Sequence, residues 1–511
     1  MIHTQTHIFK NSHNLKSFIS THINLKQQKN LLIQLFSISN DENYISEIQT
    51  VLLELLPDAH LIGTTTDGSI SEFDAEQTLI SFTFFEKSTL RHTLCSFDIA
   101  KEDICAKEIA THILTEKSKV LILFADGLLC NAEKLTREIH KYYPKIIIAG
   151  GLAGDNAKLQ KTLVCDNKQI KTQAVVALSI ESDSLYIHND YNLAWEPVEF
   201  EMHITKATQN IIYEIDGEKA SLIFEKYLNS KHLSSYTADP SRPTISIEFP
   251  LIIKHQDMQV ARVIMQINED GSLVGNGEFK ENDIISFSFT DSDKILKSGI
   301  ALSKRMMKIP VQTMFIYSCM ARRRFMGENI SLDLNPLYKI APLSGFYSYG
   351  EIYTASQEIE FLNHTMTVLA LSEENEIYSK SFATPIQTKS HRAETISVLT
   401  TLLSKTNSNT PNLHQINNTL SFNSKTLELF IEGITLKTTF AESKLFEILF
   451  LHKGASVEMT TIFSHVWEKE SKEFTPESVR TLVKKLRKKI SSDTIESIYG
   501  GYYKLIVAHS N

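Results

Sequence analysis

The sequence predicts an α/β and α+β body of two subdomains, followed by a C-terminal winged helix-turn-helix domain. Three observations lead to this fold class. Short apolar runs alternate with helical patterns through most of the chain. The balance of charge changes near the C-terminus. The last segment has the order helix, helix, basic helix, hairpin, which is the order of a winged helix.

The 511 residues are enough for about three domains. The expected segments are a polar N-terminal segment 1–24, subdomains 25–190 and 193–373, a helical linker 374–413 and a winged helix 414–508. Residues 416–511 carry 13 lysines and arginines against 11 acidic residues, whereas the rest carries 39 against 49. This asymmetry favours a nucleic-acid module at the end of the chain.

The cysteines and the apolar runs bear on the compartment. Five widely spaced cysteines without a CxxC pair predict free thiols in a reducing environment. The start, residues 1–30, has no signal-peptide core, and no run of about 20 apolar residues could span a membrane. We therefore expect a cytoplasmic protein without membrane contact. The histidines show no metal-ligand spacing, and we expect no cofactor.

The first subdomain shows a strand–helix–strand rhythm. Strands are predicted at 31–36, 78–85, 120–124 and 145–149. A helix is predicted between Asp126-Gly127 and Pro144, with Ala132, Leu135, Ile139 and Tyr142 on one face.

The second subdomain has predicted helices at 220–228 and 291–307, and predicted strands at 251–268 and 366–371. The linker that follows contains an amphipathic helix, 388–405, which could pack on its own body or pair with a second copy of the chain. A polar, helix-breaking stretch, 407–412, separates it from the C-terminal module.

Helices are predicted at 441–451 and 460–467 in this module, and a third begins at Thr475-Pro476. Its apolar positions recur at helical spacing and predict a core-facing stripe. These positions are Val479, Val483, Leu486 and Ile490.

The opposite side of the third helix is cationic. Arg480, Thr481, Lys484 and Lys488 fall there at about 100° per residue, and Arg487 borders them. Such a helix could lie in a major groove, neutralise phosphates and pair with guanine edges. The alternative is a solvated surface helix. The Gly500-Gly501 hairpin that follows favours DNA binding, because it completes the winged-helix order.

This segment resembles the C-terminal effector domain of OmpR/PhoB-type response regulators. The matching residues are Glu442, Val466, Trp467, Ser478, Val479, Arg480, Leu486, Arg487, Lys488, Lys489, Ile498, Gly500, Tyr503 and Leu505. The resemblance implies that the third helix enters the major groove of double-stranded DNA and that the wing reaches the minor groove. Tyr499 replaces the usual basic residue of the wing and Tyr502 its second glycine, so both tyrosines are candidates for sugar or backbone contact.

A receiver domain is not expected ahead of this module. Asp126 follows a strand, but neither an acidic pair nor a lysine accompanies it in the pattern of a phosphorylation site.

The body instead resembles the FIST sensory module in its N-terminal and C-terminal halves. The likeness spans residues 25–373, and five stretches carry it in order. They are Leu61–Ile70, Ile148–Asp155, Asp216–Ala220, Ser318-Cys319 with Arg322, and Pro342–Ile352. The resemblance implies a cytoplasmic sensor of small ligands, with amino acids or their derivatives suggested for the family.

The residues of these stretches suit an amino-acid-like ligand. Turn glycines bring backbone N–H groups close to an anion, arginine can clamp a carboxylate, and a glutamate could take an ammonium group. The candidate ligand residues are Thr64, Thr65, Gly68, Gly151, Arg322, Gly345, Tyr347 and Glu351. The alternative for each glycine is a purely structural turn, and three consecutive arginines cannot all face one pocket.

Three hypotheses follow. The first is a one-component transcription regulator, in which the body senses a small ligand and the winged helix binds promoter DNA, as a homodimer if residues 388–405 pair. The second makes the body a protein-interaction platform, and the third an enzyme with a DNA-binding tail. No GxSxG, HExxH or GxxxxGK[ST] segment is present, so we expect a protein that is not an enzyme.

Overall fold

A computed structural model describes residues 1–23, 28–71, 75–198, 200–228, 248–255, 258–355, 359–377, 413–417, 419–424, 426–452, 454–467, 474–498 and 500–506. The chain forms two compact units, Met1–Arg392 and Ala393–Asn511. The predicted helix 388–405 and the polar stretch 407–412 lie outside the described residues. No helix in the described part of the chain is long and apolar enough to cross a membrane.

The first unit contains three repeats of one strand–helix–strand–helix–strand pattern, each closed by a fourth strand. In the first repeat, helices Ser12–His22 and Glu42–Leu55 connect the strands. Its sheet has the order His3–Ile8, Leu79–Phe84, Leu31–Ser37, His60–Thr65, Val164–Cys165, Ile170–Lys171. The central pair, Leu31–Ser37 and His60–Thr65, is parallel, as expected for strands joined by a crossover helix.

The second repeat uses helices Glu102–Ile113 and Ala132–Tyr142. Its sheet has the order Thr89–Ser96, Ala174–Glu181, Ser118–Ala125, Ile147–Leu152, Glu351–Thr354, Ile359–Leu362, and its parallel pair is Ser118–Ala125 with Ile147–Leu152.

The third repeat has the sheet order Tyr186–Leu193, Thr365–Ser372, Thr313–Cys319, Leu343–Ser348, Ser69–Ile70. Helix Ser292–Met306 precedes its parallel pair, and helices Met320–Met326 and Ile330–Tyr338 connect the two strands.

An insertion separates the first strand of the third repeat from its first helix. It contains helix Ala220–Leu228 and a nine-stranded antiparallel sheet. Seven of its strands follow the order Met258–Arg262, Leu251–His255, Ile284–Phe289, Met202–Thr208, Ile211–Ile215, Leu273–Gly275, Ile264–Ile267. The other two, Glu196–Pro197 and Glu218–Lys219, pair with Ile284–Phe289 and Ile211–Ile215.

The three repeats exchange short strands in a cycle. A glycine near the middle of the third strand of each repeat faces a short strand from another repeat: Gly63 faces Cys165, Gly150 faces Ile352, and Gly345 faces Ile70. The segment that begins at each of these glycines is called here an exchange turn. The three exchange turns are residues 63–70, 150–155 and 345–351. The exchange brings all three turns together.

Most predicted elements of the body are confirmed, with local differences. The four strands of the first subdomain and the helices at 220–228 and 291–307 are present within a few residues of the prediction. The single strand predicted over 251–268 is wrong, because this segment folds into three antiparallel strands. Tyr142 was placed on the buried face of its helix but is 48% exposed, since it is the last residue of that helix.

The prediction that all five cysteines are free thiols is also wrong. Cys95, on strand Thr89–Ser96, and Cys105, on helix Glu102–Ile113, form a disulfide. Their sequence separation of 10 gave no signal, because the pairing results from the helix packing on its own sheet. Cys130, Cys165 and Cys319 are free.

The second unit contains two small sheets and three helices around one core. The four-stranded sheet has the order Leu413–Gln415, Leu420–Asn423, Glu428–Ile431, Ile434–Leu436, and the sequence reasoning did not predict it. Helices Phe440–Leu451, Met459–Val466 and Pro476–Arg487 confirm the three predicted helices. The three-stranded sheet has the order Val457–Glu458, Tyr502–Leu505, Ile495–Ile498, which confirms the predicted hairpin.

Candidate functional site

The third helix of the second unit, Pro476–Arg487, is anchored by its apolar face. Thr475 is the N-cap residue, without a side-chain capping bond, and Pro476 occupies the first turn. The predicted stripe is confirmed, and Leu482 joins it. Val479, Leu482, Val483, Leu486 and Ile490 are all buried in the core of the unit.

The other face of the third helix is open and cationic. Its exposed cations are Arg480, Lys484, Lys485 and, just after the helix, Lys488. Thr481 is exposed among them, and Glu477 is an exposed acidic residue in the first turn. Arg480 has a distant partner, with its Nη1 at 3.6 Å from Glu477 Oε2, and a surface pair of this kind contributes little. The sequence reasoning missed Lys485, although the same 100° spacing places it beside Thr481.

Two further cations at the end of the third helix are already engaged within the unit. Arg487 is half-buried, and its Nε donates to the carbonyl oxygen of Ile495 at 2.9 Å. Lys489 Nζ lies 2.6 Å from Glu442 Oε2. The lysine holds the pKa of Glu442 below its usual value, although burial opposes this shift. Arg487 was predicted as a DNA contact, and in this state its guanidinium faces the wing.

The wing is the hairpin Ile495–Ile498 with Tyr502–Leu505. Gly500 and Gly501 have φ values of +94° and +88°, a conformation that glycine adopts without strain. Tyr502 is 38% exposed and therefore available for contact with a partner. Tyr499 lies outside the described residues.

In the first unit, the predicted ligand residues lie on the three exchange turns, on the strand that leads into the first of them, and on helix Met320–Met326. The structure brings them into neighbouring positions, but it encloses them. Thr64 is 2% exposed, Thr65 and Tyr347 are 1% exposed, and Arg322 and Glu351 are 0% exposed.

The threonine hydroxyl groups of the first turn are all used within the body. Thr65 Oγ1 accepts a hydrogen bond from Leu163 N at 3.0 Å, and Thr64 Oγ1 donates to the carbonyl oxygen of Thr65 at 2.9 Å. Thr66 Oγ1 donates to the carbonyl oxygen of Tyr347 in the third turn at 3.0 Å. Backbone bonds add to this, since Asp67 N donates to the Tyr347 carbonyl and Tyr347 N to the Gly68 carbonyl. The first and third turns are therefore held together.

The glycines of the turns have packing roles. A Cβ on Gly345 would lie 1.7 Å from the carbonyl oxygen of Ile316, and one on Gly151 would lie 3.0 Å from the carbonyl oxygen of Gly350. Gly68 has a φ of +140°, and its N–H donates to Thr66 Oγ1 at 2.9 Å. Close strand packing and the turn conformation thus account for glycine at these positions.

The three consecutive arginines point to different partners. Arg322 is buried and donates to Asp333 Oδ2 from Nη2 at 2.8 Å and from Nε at 3.1 Å. Arg323 and Arg324 instead both contact Asp67 of the first turn, at 3.4 Å and 2.7 Å from its carboxylate oxygens. Burial raises the pKa of Asp67, and the two arginines oppose that rise.

Glu351 is a buried carboxyl group of the third turn. Ser348 Oγ and Thr365 Oγ1 lie 2.6 Å and 2.7 Å from its oxygens. Burial raises the pKa of Glu351 to about 8, so the group is largely protonated at neutral pH. In this state it is a hydrogen-bonding group more than an anion that could attract ammonium.

Asp155 of the second turn was not among the predicted residues. Tyr349 Oη donates to it, and the backbone N–H groups of Gln160 and Lys161 donate to Asp155 Oδ2 at 2.7 Å and 3.0 Å. These bonds lower the pKa of Asp155 although burial opposes them. Asp67 and Asp155 both lie in the stretches that resemble the FIST module, so the available signal was an acidic residue within each glycine turn.

The three turns and the arginines form one polar junction. Arg324 connects the first turn to the residue that follows the second turn, because its Nη2 donates to Asn156 Oδ1 at 2.8 Å as well as to Asp67. Within the residues that the structure describes, no group of three or more His, Cys, Asp or Glu side chains is arranged to hold a metal ion.

Models of known protein families match segments of both units. The FIST N domain model matches residues 31–218, the FIST C domain model residues 221–354, and the model "Transcriptional regulatory protein, C terminal" residues 433–505. None of the curated proteins matches the chain.

Solved structures with some likeness include the DNA-binding domain of the response regulator AdeR, in complex with an intercistronic region. It is 18% identical, with 18% of this chain and 100% of that chain covered and a TM-score of 0.17. The DNA-binding domain of CpxR from E. coli is 22% identical, with 19% and 98% covered and a TM-score of 0.17.

Proposed function

We propose that this chain, which carries FIST N and FIST C domains ahead of an OmpR/PhoB-type winged helix, is a one-component transcription regulator. The body would sense a small ligand, and the winged helix would bind promoter DNA. The observation that supports DNA binding best is the third helix, where Arg480, Thr481, Lys484, Lys485 and Lys488 stay exposed opposite a fully buried apolar face.

The proposed interface follows from helix geometry. An α-helix fits the major groove of B-DNA, and the buried stripe fixes which side of the third helix faces outward. Arg480 and Lys484 are one turn apart on that side and would reach base edges or adjacent phosphates. Lys488, at the end of the helix, would contact a phosphate. Tyr499 and Tyr502 would contact the DNA backbone from the wing.

The proposed ligand site is the polar junction of the three exchange turns. Arg323 and Arg324 are its accessible cations, with side chains 11% and 15% exposed, and both contact Asp67. A ligand carboxylate, as in an amino acid, could share these guanidinium groups with Asp67. Thr64, Thr65, Gly68, Gly151, Arg322, Gly345, Tyr347 and Glu351 would form the surrounding wall.

A ligand can act on DNA binding only by favouring one arrangement of the protein over another. The coupling would pass through residues 374–413. If residues 388–405 pair two copies in the cytoplasm, the dimer would read half-sites about one helical turn of DNA apart.

The test is fluorescence anisotropy of the full chain with a mixed-sequence duplex of about 40 base pairs at about 50 mM NaCl. We expect saturable binding that weakens with salt, and selection from a random duplex pool would give a preferred sequence. Each of the common amino acids is then added, and a change in affinity identifies the ligand. Absence of binding at low salt would refute the regulator. Turnover of an amino acid by the chain would favour the enzyme hypothesis instead.

A further inference from the structure

Arg487 differs from the other cations of the third helix in where its side chain goes. Lys484, Lys485 and Lys488 are exposed around it, whereas Arg487 is half-buried. Its Nε donates to the carbonyl oxygen of Ile495 at 2.9 Å, and its Nη2 donates to the same oxygen and to Ser497 Oγ, the latter at 2.9 Å.

These contacts reach both strands of the wing. Ser497 and Tyr503 are direct cross-strand neighbours, and the Arg487 guanidinium lies over the Tyr503 ring, 5.8 Å from its centroid. The planar guanidinium thus holds a carbonyl and a hydroxyl of one strand and an aromatic ring of the other.

The wing needs such a contact because Ile495–Ile498 is an edge strand. Its partner Tyr502–Leu505 lies in the middle of the three-stranded sheet, between Ile495–Ile498 and Val457–Glu458. On that inner side, Met459 N donates to the carbonyl oxygen of Gly501 at 3.1 Å. Arg487 supplies the corresponding attachment on the outer side, from the third helix.

We propose that Arg487 is a positioning residue for DNA binding: it fixes the wing against the third helix and does not contact the duplex. This inference rests on the proposed DNA-binding function. The angle between helix and wing decides whether both can meet one duplex. Arg487 therefore matters through geometry, whereas Lys488 matters through its charge.

Lysine is the informative substitution. Arg487→Lys keeps the charge but cannot place two donors on Ile495 O and Ser497 Oγ in a fixed plane. If Arg487 neutralised a phosphate, lysine would preserve most of the affinity. If it positions the wing, lysine and glutamine should weaken binding alike, by about ten-fold.

The dependence of binding on salt separates the two roles. A plot of log affinity against log salt concentration falls with a slope proportional to the number of phosphate contacts. Each lost contact reduces the steepness of this slope by about 0.9. For the full chain and the mixed-sequence duplex, we expect Lys488→Gln to lower the slope by about that amount. Arg487→Lys and Arg487→Gln should leave it unchanged while lowering the affinity. A slope lowered by Arg487→Gln and restored by Arg487→Lys would overturn the proposal.

Hydrogen–deuterium exchange of the full chain without DNA provides an independent measurement. Peptides covering residues 495–505 should exchange about five-fold faster in Arg487→Lys than in the wild type, and at the wild-type rate in Lys488→Gln. Equal exchange in Arg487→Lys and the wild type would refute the positioning role whatever the DNA result. Failure of the wild-type chain itself to bind DNA would instead refute the proposed function, and with it any role of Arg487 in DNA binding.

Discussion

Asp67 and Arg324, 257 positions apart in the sequence, form a two-point ion pair. Arg324 Nη2 lies 2.7 Å from Asp67 Oδ1, and Arg324 Nε lies 3.3 Å from Oδ2. The pair connects the first exchange turn to helix Met320–Met326 of the third repeat. The same arginine reaches Asn156, next to the second turn, so one side chain connects all three repeats.

Replacing Asp67 by alanine should destabilise the body. The substitution removes the carboxyl group that Arg323 and Arg324 both contact, and it leaves two partly buried guanidinium groups without these bonds, which costs about 3 kcal/mol of unfolding free energy. Urea denaturation of the full chain would measure the loss. Glu76→Ala is the matched control, because Glu76 also pairs with Arg323 but its side chain is 73% exposed. Equal stability of the two variants would show that Asp67 does not hold the junction.

The body should lose stability in mild acid through a half-buried histidine pair. His60 Nδ1 and His92 Nδ1 are 2.9 Å apart, so at least one ring must be neutral for them to share a proton. Burial lowers the pKa of His60 to about 4 and also lowers that of His92. In the unfolded chain His60 has its ordinary pKa of 6.5, so it binds a proton there at a higher pH than in the folded chain. The stability contributed by the neutral pair is therefore complete above pH 6.5 and falls as the pH drops towards 4.

The groups facing this pair are Asp166, which raises the pKa of His92, Lys168, which lowers it, and the backbone of Lys29. Between about pH 7.5 and about pH 5, the wild type should lose about 2 kcal/mol more unfolding free energy than His60→Gln/His92→Gln. His112→Gln, at an exposed histidine, should behave as the wild type. The same pH dependence in the double variant would contradict the assignment.

Glu351→Gln should stabilise the body, and more so at higher pH. The pKa of Glu351 in the folded chain is about 8, above its ordinary value, so the folded state loses stability as the pH rises from about 4.5 through 8. Glutamine removes this cost and keeps hydrogen-bonding partners for Ser348 and Thr365.

The gain from Glu351→Gln should be about 3 kcal/mol larger at about pH 7.5 than at about pH 5, measured by urea denaturation. Glu116→Gln, at an exposed glutamate, should show no such difference. A gain that does not depend on pH would mean that Glu351 is ionised in the folded chain.

The variant Arg480→Gln/Lys484→Gln should weaken DNA binding and lower the salt slope by about 2, since two cations are removed from the open face. Anisotropy with the mixed-sequence duplex between about 50 and 200 mM NaCl gives both values. Lys437→Gln removes an exposed cation outside the third helix and should change neither. If the two variants gave the same slope, the third helix would not be the interface.

The sequence by itself determined the elements whose signal is local. Val479, Val483 and Leu486 recur at the period of a helix, and that period fixes which side is buried and which cations remain outside. The glycine turns and the resemblances identified the segments that meet at the junction.

The tertiary structure decided which partners the long charged side chains contact and which segments pair. Arg480 and Arg487 occupy equivalent positions in the helical pattern. Only Arg487 lies beside strand Ile495–Ile498, where its guanidinium donates to the carbonyl oxygen of Ile495. The exchange of short strands among the repeats, and the pairing of Asp67 with Arg323 and Arg324, join residues hundreds of positions apart. The local periodicity of the sequence cannot predict such contacts, because they follow from the packing of whole sheets.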